Sequence, residues 1–99
     1  MLLAKVVGTL VSTRKEESLE NLKLLVLKQI DTDQKETGAY VIAADAVGAG
    51  VGEIVLYATG SSARQTVMTD RRPCDAVVMA IVDLWEIDEE IKFHKYGHA

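Results

Sequence analysis

The feature of this 99-residue chain that most restricts its fold is a succession of five short apolar runs, four of them joined by connections too short for crossover helices. The runs are Leu2 to Val11, Lys23 to Ile30, Tyr40 to Ala44, Glu53 to Ala58 and Ala76 to Trp85, each rich in β-branched residues and none opened by a strong helix cap. Between them lie the charged stretch Ser12 to Leu22, the polar turn Asp31 to Ala39 and the glycine loop Asp45 to Gly52. Parallel neighbours need a crossover of about a dozen or more residues, so the expectation is an antiparallel, strongly curved sheet. In the first run Leu2, Ala4, Val6, Gly8 and Leu10 fall on one face and Leu3, Lys5, Val7, Thr9 and Val11 on the other. Both faces are largely apolar. Five such strands fit a small closed or nearly closed barrel, one face forming its core and part of the other meeting neighbouring subunits. The longest connection, Thr59 to Asp75, is expected to hold one short helical turn capped by Ser61 or Ser62.

The length suits one domain, residues 1–99, with the barrel over 1–85 and a charged tail over 86–99 that is expected to be partly ordered at best. A core this small does not use all of the apolar 48% of the chain, which points to self-association. The net charge is −4, and the only basic clusters are Arg14-Lys15 and Arg71-Arg72. Nucleic acid, which demands clustered cations, is thereby disfavoured as the main ligand. Cys74 is the single cysteine and cannot close an intrachain disulfide. No apolar run approaches a membrane span of about 18 residues, and no leader pattern is present, so a soluble cytoplasmic protein is expected.

The candidate motifs point away from catalysis. Gly48-Ala49-Gly50-Val51-Gly52 has the spacing G-x-G-x-G and runs into a strand, not into the helix that would hold a pyrophosphate. It reads as a turn needing positive φ or close backbone approach, or as a loop packed at a subunit contact. Ser61-Ser62-Ala63-Arg64 offers hydroxyls without a nearby base, and either caps a turn or lets Arg64 reach a carboxylate across an interface, with Glu53 the candidate partner. Glu90, His94 and His98 would align as metal ligands on a regular helix, but Gly97 interrupts one. Cys74 reads as an inert side chain and Asp83 as either an outward position near a strand end or an interface hydrogen bond. No cofactor, metal or enzyme activity is expected.

Taken in order, LLAKVVGTLVSTRK, NLKLLVLKQID, AADAVGAGVGE, GSSAR and PCDAVVMAIVD resemble the bacterial microcompartment vertex proteins of the EutN/CcmL family over roughly residues 1 to 83. The resemblance implies an all-β, five-stranded OB-like barrel that assembles as a cyclic homopentamer. It further implies a structural role at the five-fold vertices of a polyhedral shell, beside hexameric and pseudohexameric tiles. Carried onto this sequence, the positions implied near subunit contacts or the axis are Thr13, Arg14 and Lys15, then Gly48, Gly50, Gly52 and Glu53, then Ser61, Ser62, Ala63 and Arg64. Asp83 joins them from the reading of its apolar run. The alternative from a different class is a nucleic-acid or other ligand-binding module on the same barrel, disfavoured by the net charge and the few aromatics.

Overall fold

The computed structural model describes residues 1–12, 15–19, 21–67, 69 and 75–96. Five strands, β1 (Leu2–Leu10), β2 (Leu24–Ile30), β3 (Glu36–Asp45), β4 (Ile54–Thr59) and β5 (Ala76–Ile81), close a barrel in the order β1-β2-β3-β5-β4. Two short 3₁₀ turns, Glu17–Leu19 and Gly60–Arg64, lie in the connections. The expected barrel is present, with one difference: β3 and β5 pair in parallel, Ala44 opposite Val77 and Asp45 opposite Val78. The dozen-residue rule is met because β4 and both of its flanking connections lie between the two strands.

Alternation builds the interior. Val6, Leu27 and Val41 form one inward row across β1–β3, Leu25 and Ala43 the next, and Val55, Tyr57, Ala76 and Val78 fill the rest of the core from β4 and β5. Register shifts near Val7 in β1 and Met79 in β5 add the local twist that lets so few strands close. Outside the barrel, the β3–β5–β4 side is covered: Ala44, Ala58, Val77 and Met79 pack under Leu19, Leu22 and Ala63. Among the described residues, no second apolar cluster covers the β1–β2–β3 side. Its rows are Gly8, Val26 and Ile42, then Lys5, Lys28 and Tyr40, with the Lys28 ammonium 4.0 Å from the centre of the Tyr40 ring.

The expected loose tail is instead a hairpin of β6 (Leu84–Ile87) and β7 (Glu90–His94). Its two-residue turn takes positive φ at Asp88 (51°) and Glu89 (66°), the turn geometry usually marked by Asn-Gly. Trp85 stacks on Phe93 at 4.9 Å between ring centres and donates its Nε1–H to the Thr32 carbonyl at 3.0 Å. Gln34 Nε2 donates to the Lys92 carbonyl at 2.8 Å, so the hairpin is fastened to the β2–β3 turn. That turn is shorter than expected because β3 begins at Glu36. The 3₁₀ turn after β4 is preceded by Thr59, without a side-chain cap, and not capped by Ser61 or Ser62 as expected.

Candidate functional site

The glycine loop between β3 and β4 closes one end of the barrel. Asp45, its side chain 1% exposed, ends β3 and accepts the backbone N–H groups of Val47 and Gly48, each at 3.0 Å. This turn carries Ala49 into the core, where it is fully buried beside the barrel residues. Lys23 Nζ donates to the Ala49 carbonyl at 3.2 Å and lies 3.6 Å from Asp45 Oδ2. Gly48 (φ 76°) and Gly52 (φ 95°) supply left-handed backbone on either side of the plug, as expected of this loop. Gly52 N–H donates to the Val6 carbonyl at 2.8 Å and Val6 N–H to the Glu53 carbonyl at 2.9 Å, which stitches the loop to β1.

Glu53 holds the loop from the other side. Its Oε1 accepts the Gly50 N–H at 2.7 Å, and a side chain at Gly50 would begin 3.4 Å from that oxygen. Its Oε2 accepts from Lys95 Nζ at 2.6 Å, with the two side chains 24% and 27% exposed. Asp83 Oδ1 stands 4.0 Å from the same ammonium, and the Lys95 N–H donates to the Asp83 carbonyl at 2.8 Å. The Lys95 hydrogen bond, followed by that of Gly50, holds the Glu53 carboxyl below its usual range. The Glu53 hydrogen bond in turn raises Lys95, helped by the charges of Tyr96 and Asp83.

These opposite shifts fix a pH window. A lowered Glu53 contributes stability that is present above its unfolded value and lost as pH falls through the folded one; a raised Lys95 contributes stability present below its unfolded value and lost as pH rises through the folded one. The difference in denaturation midpoint between the natural chain and Lys95→Met is therefore expected to be flat from about pH 5 to 10 and to shrink at both extremes. Midpoints measured at matched protein concentration across that range check it.

The structure gathers Gly48, Gly50, Gly52, Glu53 and Asp83 around this one cluster. Asp83 is exposed in the single chain. Both Glu53 oxygens are engaged inside the chain by Lys95 and Gly50, where the sequence pointed to Arg64. Ser61, Ser62 and Arg64 are exposed on the second 3₁₀ turn and Ala63 is buried beneath it. Lys15 is exposed and, with Thr9, Leu10, Val11, Leu22 and Leu24, lines a cavity of about 330 Å³; Thr13 and Arg14 lie outside the described residues. Glu90 and His94 sit on a strand, where four residues span roughly 13 Å, so the helical alignment of metal ligands does not occur. His98 and Cys74 lie outside the described residues.

Sequence reading missed Lys95, Lys23 and Asp45. Asp45 had a signal, since Asp three residues before a glycine is a common turn opening. Lys95 had none: it meets Glu53 only because the unrecognised hairpin brings it there.

The family model described as "Ethanolamine utilisation protein EutN/carboxysome" matches residues 1–83. The carboxysome shell vertex protein CcmL of Synechococcus elongatus is 43% identical over 99 residues, covering 100% of both chains. The solved structure of CcmL from Gloeobacter violaceus superposes with a TM-score of 0.94 at 41% identity, covering 98% of this chain and 100% of that one. GrpN, a pentameric microcompartment shell protein from Rhodospirillum rubrum, superposes with a TM-score of 0.81 at 46% identity, covering 88% of this chain and 99% of its own.

Proposed function

Since the chain belongs to the EutN/CcmL family, we propose that five copies form a ring that occupies the five-fold vertices of a bacterial microcompartment shell. The observation that carries this is the near-complete match to relatives named as shell vertex proteins, one of them a solved pentamer. The role is architectural: hexagonal tiles alone make a flat sheet, and five-fold units supply the curvature that closes it. Hexameric and pseudohexameric shell tiles are the neighbours this role requires, and no catalysis is assigned to the chain.

The uncovered β1–β2–β3 side supports a ring contact. Tyr40 (68% exposed) and Ile42 (44%) present apolar surface there, with Val7 and Leu10 beside them. The glycine loop presents Val51, 64% exposed, on a different part of the same subunit. A cyclic ring joins two unlike patches of one chain, and these two patches provide such a pair. About 500 Å² of apolar area per contact would contribute roughly 12 kcal/mol gross, before association costs of several kcal/mol. Lys15, Ser61, Ser62 and Arg64, together with Thr13 and Arg14, belong in this reading to the contacts or the ring axis.

Native mass spectrometry over a dilution series tests the proposal. A five-chain species whose mass does not change with dilution to micromolar concentration is expected; a monomer there would overturn it.

A further inference from the structure

We infer that the C-terminal hairpin is a strap that fixes the barrel-plugging glycine loop, with Lys95 as the positioning residue that closes it. One end of the strap is anchored at the β2–β3 turn, by Trp85 on the Thr32 carbonyl and by Gln34 on the Lys92 carbonyl. Lys92 adds ion pairs to Asp33 (3.8 Å) and Glu90 (3.5 Å). The other end is Lys95, which follows β7 directly and reaches Glu53 at 2.6 Å. Glu53 passes the restraint on, because its second oxygen holds the Gly50 N–H, next to the buried Ala49. A charge-assisted bond of this length, three-quarters shielded from water at both side chains, adds a strong restraint on the Gly50 side of the loop, opposite the Asp45 and Lys23 contacts that hold its start.

The strap lies outside the part of the chain that the family model matches, which ends at residue 83. The full-length CcmL relative aligns over all 99 residues, so the segment is shared with that relative, and within the chain the hairpin adds a restraint on one loop of the barrel. A two-stranded hairpin of this size is marginal by itself, and its two anchors explain why it persists. The dependence runs both ways: the hairpin orders the loop, and the loop's glutamate orders the hairpin's end.

Hydrogen exchange of the full-length chain, followed by mass spectrometry in peptides covering residues 46–53 and 84–96, reads this coupling. In Lys95→Met, exchange over 46–53 is expected to accelerate about 3- to 10-fold while peptides from β2 stay protected. Lys95→Arg, which keeps the cation and its donors, is expected to restore most of the protection. Unchanged exchange over 46–53 in Lys95→Met would overturn the inference, as would acceleration that Lys95→Arg fails to reverse. Should Lys95→Met fail to fold, Glu53→Gln decides: faster exchange in both peptides supports the strap, and protection equal to the natural chain refutes it. The reading does not depend on the number of chains in the assembly, so the native mass experiment can fail while this one succeeds.

Discussion

Replacing Ile42 with Asp is expected to turn the five-chain species into single chains at micromolar concentration. Ile42 lies midway along β3 in the outward row that runs from Gly8 through Val26, on the side of the barrel that no apolar cluster of the described residues covers. Its side chain is nearly half exposed in the single subunit, so a carboxylate there meets water and costs the fold no more than about 1 kcal/mol of strand preference. Across a closed apolar contact the same carboxylate loses its water, a penalty of about 3–5 kcal/mol, or roughly two to three and a half powers of ten in affinity. The penalty falls on every contact of a ring. Native mass and circular dichroism of the variant check the prediction together: a native-like spectrum with single-chain mass is expected, and a ring of unchanged mass would move the contact off the β1–β2–β3 face.

Replacing Tyr57 with Ala is expected to lower stability by about 3–5 kcal/mol, the range for emptying a large aromatic site. Tyr57 is 1% exposed and is the largest of the fully buried side chains among the described residues. It packs in the barrel core with Val55, Ala76, Val78 and the plug residue Ala49. Several of these neighbours are small and cannot swell to refill the space, which favours the upper part of the range. Domains of this size hold only about 5–15 kcal/mol in total, and each kcal/mol shifts Tm by roughly 4–8 °C. A fall in Tm of at least about 12 °C at fixed protein concentration is therefore expected by calorimetry, and a fall under about 5 °C would mean that the barrel collapses around the vacancy.

The strands of the barrel were legible because each carries its own two-residue alternation between short polar breaks, and the glycine loop because its spacing fits no phosphate site. The β3–β5 seam was not legible in its direction: strand order is decided by how the whole sheet curls, and no local pattern around Ala44 or Val77 records it. The hairpin at the end of the chain escaped notice because Asp88-Glu89 carries a turn that usually announces itself with Asn-Gly. With the hairpin went Lys95, and with Lys95 the partner of Glu53. The charge of that segment, read as a solvated tail, is in part the means by which it is held. Asp45 is a different case, since its turn-opening position was in the sequence and the reading passed over it.

The parallel seam also sets an order of events as the chain folds. β2 and β3 are joined by a five-residue turn and can find each other within microseconds. Ala44 must wait for Val77, and Leu2 for Tyr57, each pairing enclosing a long stretch of chain whose closure entropy opposes it until the sheet is nearly complete. Slow folding for its length is the expected result, with the two long-range pairings that close the barrel, β1 with β4 and β3 with β5, formed late. Until then the outer faces of β3 and β5 remain open-edged, so newly synthesised subunits at high local concentration face a choice between closing themselves and pairing edges with one another.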